Sequence, residues 1–392
     1  MISFVQKGII VARTIVDIHV LQTVPPSNLN RDDTGSPKSA VYGGVRRARV
    51  SSQAWKRATR DAFEHLLDRD ELGVRTKRVV ELVGEEITRQ APSLADRAGE
   101  LATVVLKAAR IEIKPARKKD APDESGYLLF LSRRQIAGLA ELAIGAAREA
   151  EDGKVAIAAK EAKARADREH SVDVALFGRM VADQTDLNVE AACQVAHALS
   201  VHAVANEYDY FTAVDDHKKA DEDEDAGAGM IGTVEFNSST LYRYATVDVD
   251  HLQTNLGDLD ATRRAVEAFT RAFVSSMPTG KQNTFANRTL PDAVLVIVRQ
   301  TQPINLVGAF EDAVSEDEKG GRITAAIQRL ATHAAELHPA FDETPVTVWA
   351  FGAGDRVDPL AELGQRSTFD TTIRALGELV ADRLTDQPVG TP

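Results

Sequence analysis

The chain has 392 residues, of which 43% are hydrophobic and 27% are charged. These values are typical of a globular protein and exclude a mostly disordered, collagen-like or coiled-coil chain. The single cysteine, Cys193, excludes an intrachain disulfide and any zinc site built from several cysteines, and is typical of a reducing compartment. The formal net charge is −12, which by itself argues against a nucleic-acid-binding protein.

The N-terminal segment does not predict a membrane span or a signal sequence. Its apolar run is interrupted by Gln6, Lys7 and Gly8 and stopped by Arg13, so it is too short for a transmembrane helix and too broken for the apolar region of a signal sequence. We therefore expect a cytoplasmic protein with no membrane partner.

The first predicted elements are a strand, a loop and a basic helix. Residues 14–21 are rich in β-branched side chains and place Thr14, Val16, Ile18 and Val20 on one face of an extended chain, which is typical of a strand. Pro25-Pro26 is expected to end it. A loop then leads through Gly43-Gly44 to a short strand at 45–50. Ser51-Ser52 predicts a helix N-cap, and apolar residues at helical spacing predict a helix over 53–67.

Residues 61–180 are dominated by helical patterns, whereas residues 191–205 suit a helix or a buried strand equally well. Two extended runs then flank an acidic, glycine-rich stretch at 215–232, which predicts a long hairpin. Strands at both ends of the chain with a helical block between them predict an α+β core with a helical insertion. Beyond the hairpin we expect helices at 261–277, 305–314 and 324–337 and strands at 293–298 and 346–351.

Positive charge is concentrated in one segment, which we call the basic window. Residues 28–60 contain eight basic and two acidic residues, a net charge of +6, so the rest of the chain carries −18. The window leads into a helix N-terminus, whose dipole adds to the side-chain cations at a phosphate group. Lys56 and Arg60 share one helical face because they are four residues apart. We therefore favour nucleic-acid binding over a basic surface without a ligand.

Other patterns do not predict a catalytic or nucleotide site. The glycines at 227–232 match a dinucleotide fingerprint but precede a strand, and Thr279-Gly280-Lys281 lacks the earlier glycine of a P-loop. The acidic run at 221–225 is typical of a solvated loop tip. We interpret Cys193 and His197 as a buried cysteine and a structural histidine, and Asp32-Asp33 as a weak metal signal. We expect no enzymatic activity, no cofactor and no metal.

Several short motifs occur in a defined order and spacing. They are Asp17-Ile18-His19-Val20-Leu21, Leu29-Asn30-Arg31-Asp32-Asp33, Gly43-Gly44 with Arg46-Arg47 and Arg49, Ser51-Ser52-Gln53 with Lys56-Arg57-Ala58, Gly178-Arg179-Met180, Ala196-His197-Ala198, Phe211-Thr212-Ala213-Val214-Asp215-Asp216, Tyr242-Arg243-Tyr244-Ala245 and Gly280-Lys281-Gln282. Together they resemble the CasC-type backbone subunit of Cascade, the type I-E CRISPR surveillance complex. The resemblance covers most of the chain from Asp17 to about residue 310.

The resemblance implies a hand-shaped protein with a modified RRM-like or ferredoxin-like palm, helical fingers and a thumb β-hairpin. The palm would comprise residues 1–60 and 181–392, the fingers 61–180 and the thumb about 206–235, and residues 191–205 would contain a palm strand. Met180 would act as a wedge against a base. The RNA-binding residues that it implies are Arg31, Lys38, Arg46, Arg47, Arg49, Ser51, Gln53, Lys56, Arg57, Arg60, Arg179, Met180, Phe211, Thr212, Val214 and Lys281.

The function implied by the resemblance is to polymerise along the crRNA spacer, bind it without regard to sequence, kink it at regular intervals and present it to target DNA. The partners would be crRNA, target DNA through guide pairing, further copies of the chain, and the large, small, handle-binding and crRNA-processing endoribonuclease subunits. Alternatives are a metal-dependent CRISPR ribonuclease and a generic single-stranded nucleic-acid coat protein. Two departures are the acidic thumb insertion and about eleven extra N-terminal residues, which suggest a true start near Val11-Ala12-Arg13.

Overall fold

A computed structural model describes residues 13–116, 122–150, 155–167, 169–180, 187–213, 230–315 and 320–386. The chain divides into two compact units. The first unit contains the described residues up to Asp61, together with Val195–Thr246 and Phe269–Leu376. The second contains Ala62–Gln194, Val247–Ala268 and the described residues from Gly377 onward.

The described ranges contain strands and helices in the following order. The strands are β1 (Ile15–Ser27), β2 (Ser39–Tyr42), β3 (Val45–Val50), β4 (Gly73–Thr76), β5 (Ile113–Lys114), β6 (Glu124–Ser125), β7 (Leu129–Ser132), β8 (Cys193–Val195), β9 (Ala198–Ser200), β10 (Glu207–Ala213), β11 (Met230–Asp248), β12 (Ala293–Arg299), β13 (Thr347–Gly352) and β14 (Gln365–Arg366). The α-helices are α1 (Ser52–Phe63), α2 (Val79–Gln90), α3 (Ala98–Ala108), α4 (Arg133–Glu149), α5 (Ala159–Ala166), α6 (Val172–Phe177), α7 (Val249–Leu256), α8 (Leu259–Ser275), α9 (Gln282–Phe285), α10 (Arg322–Ala340), α11 (Asp358–Ala361) and α12 (Phe369–Thr385). Short 3-10 helices lie at Arg69–Glu71, Pro92–Arg97, Leu306–Phe310 and Gly354–Val357.

A mixed sheet forms the framework of the first unit, with its strands in the order β14-β13-β12-β1-β11-β9-β3-β2. The central strand β1 is covered on both faces, and its residues 15–22 are all buried. Its polar side chains therefore need partners inside the protein. Asp17 accepts a hydrogen bond from Arg299 at 2.8 Å, and the Nδ1 atom of His19 lies 2.9 Å from the Tyr242 hydroxyl.

The predicted hairpin corresponds to β10 and β11, which pair antiparallel from Glu207 opposite Phe236 to Ala213 opposite Met230. The strand β11 continues from this hairpin into the middle of the main sheet, so the hairpin is an extension of the framework strand. The acidic run at 221–225 and the first half of the glycine motif at 227–232 lie outside the described residues.

The second unit has a helical core with two small antiparallel strand pairs, β4 with β7 and β5 with β6. Helices α2, α3 and α4 bury apolar side chains that recur at three- and four-residue intervals, such as Val83 and Ile87 in α2. A capping box begins α4, because Ser132 and Gln135 bond each other's backbone N–H groups, each at 2.9 Å.

The α+β class predicted from the sequence is confirmed, but several local predictions were wrong. The strand β1 continues through Pro25 and Pro26, since the fixed φ of proline is compatible with extended backbone. The helix predicted over 53–67 ends at Phe63, and the segment predicted as a helix over 305–314 contains a 3-10 helix at Leu306–Phe310. The segment 191–205, which the residue pattern left open and to which the resemblance assigned a strand, does contain strands, β8 and β9.

Candidate nucleic-acid interface

The first part of the basic window is a loop, residues 28–38, which we call the guide loop. Asp32 organises it internally: its Oδ1 atom accepts hydrogen bonds from the N–H and hydroxyl of Thr34 and from the N–H of Ser36, at 2.7–3.1 Å. These hydrogen bonds lower the pKa of Asp32. Arg31 is exposed at the start of this turn. The Asp32 carboxylate is therefore used to shape the loop that carries Arg31.

The second part of the window is the N-terminus of α1. The Ser51 hydroxyl accepts a hydrogen bond from the N–H of Ala54 at 3.3 Å, and the Ser51 N–H donates to the Asn30 side chain at 2.9 Å. Ser51 is therefore the predicted N-cap, and its own N–H ties the helix to the guide loop. The side chains of Gln53 and Arg57 are exposed, and those of Lys56 and Arg60 are partly exposed.

Arg57 also contributes to a surface ion pair. Its Nε atom lies 3.7 Å from a carboxylate oxygen of Asp61, and both side chains are mostly exposed. An exposed pair of this kind contributes little to stability and leaves the guanidinium accessible to an anion.

Lys38, Arg49 and His197 form a second group of positive or titratable side chains. The N–H of Arg49 donates to the carbonyl of Lys38 at 2.9 Å, and the Arg49 guanidinium lies 3.2 Å from the His197 ring. Partial burial and the positive charges of Arg49 and Lys38 lower the pKa of His197. His197 is exposed, which corrects its interpretation as a structural histidine. In the sequence, His197 stands out as part of the Ala196-His197-Ala198 motif, and Arg49 is 148 residues away in the chain.

Arg46 and Arg47 are neighbours in β3 but face different environments. Arg46 is exposed opposite Val41 of β2. Arg47 is fully buried, and its guanidinium donates to the carbonyl oxygens of Tyr42, Ser200, Phe310 and Glu311 at 2.9–3.2 Å. Because its donors are used inside the protein, Arg47 is removed from the candidate RNA contacts, while Arg46 stays in the set.

Lys281 follows a glycine that packs directly on the guide loop. A Cβ atom on Gly280 would lie 2.2 Å from the carbonyl oxygen of Leu29, so this position requires glycine. Lys281 itself is partly exposed and has a left-handed φ of 50°. An open cavity of about 530 Å³ lies between Gly280 and residues 29–35 of the guide loop. The tertiary structure thus brings Lys281 beside a segment that is distant in sequence.

The hairpin carries one predicted site residue whose side chain is described. The Phe211 ring lies over Gly232 on the opposite strand, where an added Cβ would approach it to 2.4 Å, and 40% of Phe211 is exposed. Tyr208 and Tyr210 are 67% and 63% exposed; they were not among the predicted site residues. Their signal in the sequence was two aromatics two residues apart on a strand. The side chain of Thr212, and all of Val214, lie outside the described residues.

In the second unit, Arg179 and Met180 have opposite environments. Arg179 is buried and donates to the carbonyl oxygens of Leu187 and Phe130, at 2.6 and 3.1 Å. Burial lowers its pKa. Met180, the next residue, is 86% exposed. Arg179 is therefore withdrawn as an RNA contact, because its guanidinium anchors the backbone from which Met180 projects.

Among the described residues, no three histidine, cysteine or carboxylate side chains lie close enough together to hold a metal ion. Cys193 is buried. No helix within the described ranges combines the length and apolar character needed to cross a membrane.

The family model of CT1975-like proteins matches residues 16–376. The chain belongs to this family. No curated protein matches the chain. The CT1975-like chain is also similar to two solved structures. A chain of a "CRISPR RNA-guided surveillance complex, pre-nicking" has a TM-score of 0.81 and 35% identity, covering 93% of this chain and 100% of that one. A chain of a "CRISPR RNA-guided surveillance complex" has a TM-score of 0.70 and 31% identity, covering 92% and 99%.

The CT1975-like family and the two structural matches extend over both compact units and the hairpin. The matched range includes every predicted site residue from Arg31 to Lys281. The CT1975-like chain therefore shares an α+β fold with subunits of CRISPR surveillance complexes.

Proposed function

We propose that this protein is the guide-RNA-binding backbone subunit of a type I-E Cascade complex. The observation that carries the proposal is the match at a TM-score of 0.81 over the full length of a chain from a CRISPR RNA-guided surveillance complex. The residue motifs in the basic window support the assignment to a backbone subunit.

The proposed interface recognises the guide by its phosphates. The guide loop, β3 and α1 together carry exposed or partly exposed cations. Such groups bind the phosphates of an RNA strand and do not distinguish its bases. This property suits a subunit that must bind guides of any sequence. The proposed phosphate contacts are Arg31, Lys38, Arg46, Arg49, Lys56, Arg57, Arg60 and Lys281, with Ser51 and Gln53 at the helix N-terminus.

The hairpin and Met180 are proposed to shape the guide. A long exposed methionine beside a rigidly held backbone is suited to insert between bases, and the exposed aromatic face of β10 is suited to contact a base that has left the stack. Copies of the chain would lie side by side along the crRNA, each hairpin would kink it, and the intervening bases would pair with target DNA. The large, small, handle-binding and crRNA-processing subunits complete the proposed complex in the cytoplasm.

We further propose that the protein has no enzymatic activity. One oxygen of the Asp32 carboxylate, on which a ribonuclease mechanism would depend, accepts hydrogen bonds from Thr34 and Ser36 within the guide loop. Incubation of the purified protein with guide and target RNA and Mg²⁺ should leave both intact. Cleavage that Asp32→Ala abolishes would favour the ribonuclease instead.

The test of guide binding is the double variant Lys56→Ala with Arg60→Ala. Loss of two phosphate contacts should weaken binding to unrelated RNA sequences equally and reduce the slope of log K against log salt by about 1.4, since each contact with a single strand contributes about 0.7. The charge-matched control is Lys107→Ala with Arg148→Ala, two exposed cations of the second unit. A loss confined to one RNA sequence would contradict the proposal.

Assembly is tested separately by isolating the protein with its natural RNA. A uniform RNA with fixed ends, together with the other Cascade subunits, supports the proposed role. Heterogeneous RNA without those subunits would indicate a generic single-stranded coat protein.

A further inference from the structure

Glu235 is an acidic residue that bonds directly to the guide loop. One carboxylate oxygen accepts a hydrogen bond from the Ser36 hydroxyl at 2.8 Å, and the other accepts one from the Asn206 side-chain amide at 2.9 Å. The backbone carbonyl of Glu235 accepts a third hydrogen bond, from the Asn28 side chain at 2.9 Å. Glu235 therefore contacts both ends of the guide-loop turn.

On the loop side, these bonds hold the segment that carries Arg31 and Lys38. The N–H of Ser36 donates to Asp32 at 3.1 Å, and the N–H of Lys38 donates to the carbonyl of Asn30 at 2.9 Å. The turn is therefore one connected hydrogen-bonded unit, and the Ser36 hydroxyl is its attachment to the Glu235 carboxylate. Loss of this attachment would loosen the turn at Ser36, while the Asn28 hydrogen bond to the Glu235 backbone carbonyl would remain.

On the hairpin side, Glu235 lies at the base of the β10–β11 pair. It is opposite Tyr208 in the register, and Asn206 directly precedes β10. Asn206 is held in turn by the side-chain amide of Asn237 at 3.3 Å. The carboxylate thus connects the base of the hairpin to the guide loop.

We propose that Glu235 is a positioning residue that fastens the guide loop to the base of the hairpin, so that Arg31, Lys38 and the hairpin engage one RNA strand together. The inference rests on the proposed function. A negative charge beside a phosphate-binding surface opposes RNA binding by Coulomb repulsion. Any favourable effect of Glu235 on RNA binding must therefore come from the position in which it holds the loop. Removing its charge should strengthen RNA binding, whereas removing its hydrogen bonds to the loop should weaken it.

The test compares Glu235→Ala with Glu235→Gln. Both variants remove the negative charge, but glutamine can accept the Asn206 hydrogen bond with its oxygen and donate from its amide to the Ser36 hydroxyl, so both connections are retained. Glu235→Ala should weaken binding to unrelated single-stranded RNAs by about threefold to tenfold, since it loses the Ser36 hydrogen bond that holds the loop and the Asn206 hydrogen bond on the hairpin side. Glu235→Gln should bind at least as tightly as the unmodified protein. Glu207→Ala, which removes an exposed acidic side chain from β10, is the charge-matched control and should not weaken binding.

Salt dependence separates positioning from a general loss of stability. When the loop is released, fewer phosphates are contacted, so the slope of log K against log salt should fall by about one for Glu235→Ala and stay unchanged for Glu207→Ala. Thermal unfolding of each variant is measured in parallel. Ser36→Ala removes the hydrogen bond between the loop and Glu235 and leaves the charge and the hairpin unchanged. It is therefore the substitute test if Glu235→Ala does not fold. It should weaken binding too, and less than additively with Glu235→Ala.

The possible outcomes distinguish this inference from the proposed function. If the unmodified protein fails to bind RNA, the proposed function is wrong. If it binds, and Glu235→Ala and Ser36→Ala bind as tightly as it does, the positioning role is overturned. Tighter binding by Glu235→Ala, equal to that of Glu207→Ala, would show that Glu235 acts only through its charge.

Discussion

The guanidinium of Arg243 lies 3.7 Å from the ring centroid of Trp55 and 4.6 Å from that of Phe273. It also donates hydrogen bonds to the Gln22 side chain and to the carbonyl of Phe273. Burial lowers the pKa of Arg243 to about 9. Trp55 lies in α1 directly before Lys56, so this contact fixes the helix that carries the proposed phosphate contacts against strand β11.

Replacement of Arg243 should therefore cost much of the stability of the first unit. Arg243→Ala removes the ring contacts and leaves a cavity and two unpaired acceptors, and we expect a loss of about 3 kcal/mol in the free energy of unfolding by urea. Arg271→Ala is the control, because Arg271 contacts the Phe369 ring and Asp370 at a partly exposed position. It should cost less than about 1 kcal/mol. Equal losses would contradict the structural role of Arg243.

Replacing the two neighbouring arginines of β3 one at a time should affect different properties, the stability for one and RNA binding for the other. Arg47→Ala leaves buried carbonyl oxygens without a donor, so we expect it to lower the free energy of unfolding by about 3 kcal/mol. Arg46→Ala should change it by less than about 0.5 kcal/mol and weaken RNA binding instead. Urea unfolding and RNA titration of both variants check this, and a stable Arg47→Ala with reduced RNA affinity would return Arg47 to the interface.

Two adjacent glycines in the β2–β3 turn should respond differently to alanine. Both have positive φ, 57° for Gly43 and 76° for Gly44. An added Cβ on Gly43 would lie 1.6 Å from the carbonyl oxygen of Glu311, whereas one on Gly44 would enter open space. Gly44→Ala should cost about 1 kcal/mol from backbone strain alone, and Gly43→Ala at least 2 kcal/mol more, about the cost of overpacking. Similar thermal stabilities for the two variants would show that Gly43 and Glu311 are not in close contact.

His170 should make the second unit less stable in mild acid. Its side chain is 10% exposed, and burial and the charge of Arg179 lower its pKa from 6.5 to about 4. Between these pH values the unfolded chain binds the proton and the folded chain does not, so stability falls as the pH drops below 6.5. From pH 7 to pH 5 the contribution is a loss of about 1–2 kcal/mol.

His170→Gln should reduce this pH dependence, since glutamine does not titrate and its side-chain oxygen can accept the hydrogen bond that Gln135 offers at 3.1 Å. The measurement is the urea midpoint at several pH values. His65→Gln replaces an exposed histidine and is expected to leave the curve unchanged. If the urea midpoint of His170→Gln falls with pH as much as that of the unmodified protein, His170 is not the cause of the pH dependence.

Local patterns predicted most elements well because their signals lie within a few residues. Neighbouring side chains alone determine the alternation at 14–21, the Ser51 cap and the two extended runs that form the hairpin. The helix predicted over 305–314 is a shorter 3-10 helix, limited to Leu306–Phe310. Strands β8 and β9 are only three residues long, and such short strands carry almost no periodic signal.

The sequence by itself determined the fold class, the concentration of positive charge in residues 28–60 and the motifs that carry the family resemblance. The tertiary structure decided how individual side chains are used. Arg46 and Arg47 are indistinguishable in a charge count, yet only Arg47 meets carbonyls contributed by residues as distant as Ser200 and Phe310. Glu235 and the guide loop are about 200 residues apart in sequence, and their contact depends on the strand pairing that brings them together. Burial and long-range hydrogen bonds are properties of the folded chain, so a local sequence pattern cannot predict them.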